Sequence, residues 1–171
     1  MRPTDGGANF GWPILEGTSV FRGGSTAGLV PPVAEYQHGS SVVQGNSVTG
    51  GYVYRGPVES LRGQYLFADF VRPNLWTLPV TRLVIGATVP GSQFTVRNGD
   101  FAPSTGAFTN IASFGVDQAG NVYLLDLDGE IFVIEAVPGL SAAASAAATR
   151  SSRISDTDDR GGDNRFARRR K

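Results

Sequence analysis

The stretch GNVYLLDLDGEIFVIE, Gly120 to Glu135, decides the reading of this chain, because its pattern already stands earlier as GQYLFADFVRPNLWTLPV, Gly63 to Val80. In each, a Gly-polar pair leads into an apolar run that meets an Asp six residues after the Gly, Asp69 in one and Asp126 in the other. A short turn and a second apolar run follow. The copies are offset by 57 residues at Gly and Asp, and by 56 at Trp76/Phe132 and Leu78/Ile134, so their turns differ by one residue. Apolar runs bounded by Gly, Asp and Asn read as strand–turn–strand. Asp128-Gly129 is a favoured dipeptide for such a turn.

Outward from the hairpins, NSVTGGYVYRG (Asn46–Gly56) and TNIASFGVD (Thr109–Asp117) each supply a preceding strand. SQFTVRNG (Ser92–Gly99) supplies a short fourth strand to the first copy only. A repeat of about 50 residues, made of up to four antiparallel strands, is the pattern of a β-propeller blade. The expected fold is all-β: a partial β-propeller of about two antiparallel blades, four-stranded and then three-stranded, with Trp76 and Phe132 at equivalent positions. Alternation is imperfect in YLFADF and VYLLD, which predicts strands covered on both faces. Propellers close with about four to eight blades, so the chain reads as the C-terminal portion of a larger parent.

The bulk numbers agree with one packed unit. The chain has 171 residues, 40% of them hydrophobic, which suffices for one core. The absence of Cys excludes a disulfide framework and thiolate metal sites. No apolar run approaches the roughly 18 residues that span a bilayer, and the N-terminal MRPTDGGANFGWP has no signal-peptide apolar region, which leaves localisation open. Net charge is zero, yet residues 141–171 carry eight basic and four acidic side chains, against seven and eleven in residues 1–140. The expected organisation is a partial propeller over residues 1–140 and a disordered tail over 141–171, Ala-rich and then basic. The tail's large apolar residues are Ile154 and Phe166, too few for a core. RFARRRK at its end could touch nucleic acid, anionic lipid or an acidic partner. The expectation is a solvated tail with no nucleic-acid partner.

GANFGWPILEGT (Gly7–Thr18), PPVAEYQHG (Pro31–Gly39), SVTGGYVYRG, LRGQYLFADF and IASFGVDQAGNVYLLDLDGEIFVI follow one another in this order. Together they resemble the glucose/sorbosone dehydrogenase family, quinoprotein enzymes that oxidise sugars. The resemblance spans about residues 7–135. It implies a six-bladed parent that binds pyrroloquinoline quinone (PQQ) and calcium and takes a sugar substrate, with a periplasmic or secreted location.

The resemblance also implies cofactor-facing roles for Arg55, Arg72, Trp12 and Asn9. PQQ bears carboxylates, which cationic side chains would hold, and an aromatic face such as that of Trp12 could cover the quinone. The bland alternatives are a solvated Arg at a strand end for Arg55 and core packing for Trp12. The family's catalytic His belongs to an earlier blade, so no catalytic residue is expected in this chain. His38 reads as a structural loop residue. Asp69, Asp117, Asp126 and Asp128 recur at strand ends and turns, where Asp bonds local backbone, so no metal ligand is expected. The isolated chain is expected to be an inactive portion of a sugar dehydrogenase. The alternatives are a non-enzymatic propeller-derived interaction module and a truncated reading frame, with association through an exposed blade edge.

Overall fold

The computed structural model describes residues 6–136 and the backbone of residues 149–153. Among them there is no α-helix, only strands and short 3-10 turns. The N-terminal segment carries the short strands β1 (Leu15–Glu16), β2 (Ser19–Val20) and β3 (Ala34–Glu35). The first sheet holds β4 (Val48–Val53), β5 (Gln64–Asp69), β6 (Leu75–Pro79) and β8 (Thr95–Val96) in that order, all antiparallel. Between the last two lies β7 (Val89–Pro90), which pairs in parallel with β3. The second sheet is β9 (Ile111–Val116), β10 (Val122–Asp126), β11 (Ile131–Ala136) and β12 (Thr149–Arg153). Neither sheet closes on itself.

The internal repeat is a repeat in space. Phe67 lies opposite Trp76 across β5 and β6, and Leu124 lies opposite Phe132 across β10 and β11. Trp76 and Phe132 therefore occupy equivalent positions. Gly63 and Gly120, which open the two copies, both take positive φ, 77° and 84°, a conformation that glycine adopts without steric cost. The second sheet is four-stranded rather than three-stranded. Its fourth strand, β12, pairs with β11 from Phe132↔Arg153 to Ala136↔Thr149. Five residues of the stretch expected to be a disordered tail thus form a strand. The Ala-rich start of that stretch and RFARRRK lie outside the described residues.

Two apolar clusters hold the body together. The first lies between the sheets: Leu66, Ala68 and Leu75 of the first sheet meet Ile111, Leu124, Phe132 and Ile134 of the second. The other gathers Phe67, Trp76, Leu78 and Phe94 on the far face of the first sheet, with Tyr36 packed against them. Each large side chain so buried contributes about 1.5–3 kcal/mol relative to its exposed state. β5 and β6 are therefore covered on both faces, as YLFADF predicts. β10 is not. Its burial alternates, with Val122, Leu124 and Asp126 buried and Tyr123 and Leu125 only half-buried. The expectation that VYLLD is covered on both sides is corrected: no described element covers its outer face as the second sheet covers the first.

The sheets are also tied by hydrogen bonds at their first strands. Thr49 Oγ1 donates to the Ile111 carbonyl at 2.8 Å, and Asn110 Nδ2 donates to the Phe70 carbonyl at 2.8 Å. β4 and β9 thus stand side by side without forming a ladder.

Candidate functional site

The recurring aspartates come first, since buried carboxylates are frequent functional groups. Asp69 ends β5 with its side chain fully buried. Its carboxylate accepts the N–H groups of Asn46 (2.7 Å), Ser47 (2.6 Å) and Arg72 (2.6 Å) and the hydroxyl of Tyr36 (2.8 Å). Burial alone would raise its pKa, but these donors outweigh burial and hold the carboxyl below the usual carboxylate range. Burial and the adjacent Asp69 carboxylate together push the Tyr36 phenol well above its ordinary value. Gly45 makes room for this arrangement: a Cβ there would fall on the Asp69 carboxylate.

Asp126 repeats the arrangement in the second sheet. It accepts the Thr109 N–H (2.7 Å), the Thr109 hydroxyl (2.5 Å) and the Asn110 N–H (3.0 Å). Burial again opposes these bonds and loses, so this carboxyl also lies below the usual range. Asp117 spans the β9–β10 turn, taking the Asn121 side-chain and backbone N–H groups and the Tyr123 hydroxyl. Asp128 accepts the Glu130 N–H in the next turn. Each of these carboxylates fastens a strand end or a turn. Sequence reasoning found the local bonds. It missed that Asp69 reaches back more than twenty residues to pin the entry of β4, because such reach has no local signature.

The four residues expected to face a cofactor all lie at the surface. Arg55 is exposed just beyond β4, with its guanidinium 3.5 Å from the Val53 carbonyl. Arg72 is exposed in the turn after β5, where its backbone N–H serves Asp69. The two therefore stand at opposite ends of β5, roughly 17 Å apart at about 3.4 Å per residue. Asn9 is exposed, and its Oδ1 accepts the Gly11 N–H at 2.9 Å. Trp12 is 67% exposed and stacks on Phe21 with ring centroids 5.0 Å apart, so it is not a core residue. His38 lies on the surface, its Nε2 3.3 Å from Glu16, tying one N-terminal loop to another.

Two apolar surfaces that sequence reasoning had not singled out stand open. One is the outer face of the second sheet. Tyr123, Leu125 and Ile131 there are the register equivalents of Leu66, Ala68 and Leu75, yet Ile131 is 41% exposed while Leu66 and Ala68 are fully buried. Val133, in the place of Thr77, is 8% exposed. The signal was present in VYLLD, whose outward positions are as apolar as its inward ones. The other surface is a cavity of about 990 Å³ between the N-terminal segment and the far face of the first sheet, lined by Phe10, Val33, Tyr65, Phe67, Leu83 and Ile85, among others. Phe10 and Ile85 are both more than half exposed.

The fold and these surfaces define an all-β protein of small open antiparallel sheets. Within that class the chain is similar to the HIPL1 protein of Arabidopsis thaliana, 30% identical over 148 residues, which covers 75% of this chain and 21% of the plant protein. The chain thus spans about a fifth of that relative's length. No family model matches the chain, and no solved structure does.

These findings overturn the sugar-dehydrogenase reading. The similarity runs to HIPL1 protein and not to a glucose/sorbosone dehydrogenase, so the expectations of family membership, oxidoreductase activity and quinoprotein chemistry are corrected. The physical reason lies in the residues that carried the resemblance. Gly63, Gly120, Asp69, Asp117 and Asp126 make turns and pin strand ends, work that any sheet of this geometry needs whatever its chemistry. Among the described residues no helix is long and apolar enough to cross a membrane.

Proposed function

We propose that this chain is a non-enzymatic interaction module built on the sheet arrangement of a β-propeller. Two four-stranded antiparallel sheets stack with the same face forward, and their first strands lie side by side, which is how neighbouring blades meet. The body over residues 1–140, completed by β12, is the module. The single observation that carries the interaction reading is the outer face of the second sheet. Tyr123 and Leu125 are half-buried and Ile131 is 41% exposed, where their equivalents in the first sheet are buried. Open apolar faces of this kind mark sites of association.

Binding of an anilinonaphthalene sulfonate dye, followed by its fluorescence and by amide NMR shifts, tests this reading. Shifts are expected at residues 113–115, 123–125 and 131–133, and Leu125→Lys with Ile131→Lys should abolish them. Absence of binding, or shifts confined to other surfaces, would overturn the reading.

A further inference from the structure

The cavity between the N-terminal segment and the first sheet has an aromatic floor and one charged end. Phe67 and Phe94 are almost fully buried in the floor, and the ring of Tyr65 stacks on Phe67 with centroids 5.5 Å apart. These rings close the sheet face itself, so what stays open is the trough above them. One wall comes from residues 30–33, the other from Val80 and residues 83–85. The walls are fastened to each other by the β3–β7 pairing and by Thr88, whose hydroxyl donates to the Pro32 carbonyl at 2.7 Å. Phe10, Val84 and Ile85 stand exposed along the trough. Its volume of about 990 Å³ lies at the upper end of small-molecule sites, which run from about 300 to 1,000 Å³.

The charged end is acidic. Glu16 and Glu35 both line the trough, and Thr18, next but one after Glu16, donates its N–H and its hydroxyl to the Glu35 carboxylate, each at 2.7 Å. The two carboxylates are therefore neighbours, with His38 beside them, 3.3 Å from Glu16. Among the described residues that line the trough, none is Lys or Arg. A carboxylate offers about four acceptor sites. The Thr18 bonds take one on each Glu35 oxygen, and His38 meets one oxygen of Glu16. The remaining sites suit a group that only donates, and an ammonium carries three donors and no acceptor. An anionic head would meet two like charges here. We propose that the trough binds a small amphipathic amine, its flat apolar body lying over Tyr65 between the walls and its ammonium docked on Glu16 and Glu35. Offset stacking on the floor favours an aromatic body. This site and the outer face of the second sheet are separate surfaces, and the sulfonate dye that reports on that face carries the wrong charge for the trough.

The test titrates naphthylmethylamine and its anionic counterpart naphthylacetate into the chain and follows amide and methyl NMR shifts. The amine should shift residues 30–36, 65–67 and 83–85. The acetate should bind about tenfold more weakly or worse, the worth of a hydrogen bond to a charged group. Glu16→Gln combined with Glu35→Gln should remove that preference, while Ile85→Ser should weaken both probes alike. Because Glu35 also holds Thr18, Glu16→Gln alone is the companion variant: it should lower the affinity for the amine and leave the thermal melt unchanged. Equal affinity for the two probes, or a preference for the amine that survives both Gln variants, would overturn the proposal. So would amine shifts confined to the second sheet, no shifts at all, or a trough that takes up an apolar Lys-containing peptide but not the amine.

Discussion

Among the described residues the first sheet is covered on both faces and the second on one, although the two are built from the same pattern in the same register. On one side of the first sheet, Trp76 sits among Phe67, Tyr36 and Phe94 and donates its indole N–H to the Val42 carbonyl at 2.7 Å. Its equivalent, Phe132, packs against Phe108 and the sheet before it. The difference teaches that the repeat encodes a sheet with two sticky faces. Which of them becomes core depends on the neighbour, not on the sheet's own residues.

The largest expected contrast is at the equivalent aromatics. Trp76→Ala should cost about 5 kcal/mol and Phe132→Ala about 3 kcal/mol, because the first removes the larger ring and also its indole hydrogen bond to the Val42 carbonyl. Urea unfolding measures both, and an equal loss would break the comparison. Next come equivalent positions on the receiving face. Leu66→Ala should cost about 3 kcal/mol, and Tyr123→Ala about 1 kcal/mol where its face is free.

The aspartate pins should differ less. Asp69→Asn is expected to cost about 2–3 kcal/mol and Asp126→Asn about 1–2 kcal/mol, since each leaves buried N–H donors facing an amide. The pH dependence follows from the direction of the shifts. Both carboxyls are held below their unfolded values near 3.9. Their stabilisation is therefore complete above that pH and is lost as pH falls through the lower folded values. The urea midpoint should stay level from neutrality to about pH 5 and drop below about pH 4. If the drop survives unchanged in the double Asn variant, other groups cause it.

The smallest effect is expected at the exposed end of the molecule. Trp12→Ala should change stability by less than about 0.5 kcal/mol while removing the fluorescence that acrylamide quenches readily. The remaining emission, from buried Trp76, should resist quenching. A protected Trp12 would mean that something covers the Trp12–Phe21 stack.

Much of the fold was legible in the residues. The hairpins, their turns, the strands before them and the Trp76/Phe132 equivalence all follow from local punctuation and from a register that repeats. The fourth strand of the second sheet was not legible: TRSSR at 149–153 has no apolar alternation, and β12 is recruited by the free edge of β11. The site was read less well. Arg55 and Arg72 look like a pair in a list of cations, yet β5 separates them end from end. The outer face was written in VYLLD, but an apolar residue does not announce whether its neighbour is present. The family reading failed for a related reason: Gly and Asp at turns are shared by sheets that do unrelated things.

The apolar cluster between the sheets takes its side chains from both, whereas the first sheet has a further cluster on its far face to which the second contributes nothing. The second sheet therefore depends on the first for its buried cluster, and it is expected not to outlast the first on unfolding. The connection between them runs through residues 97–110; its exposed part, Ser104–Ala107, supplies no residue to that cluster, although Phe101 before it is fully buried there. The exposed part tethers, setting the local concentration of one half around the other, and the affinity itself is written in Leu66, Leu75, Phe101, Leu124 and Phe132.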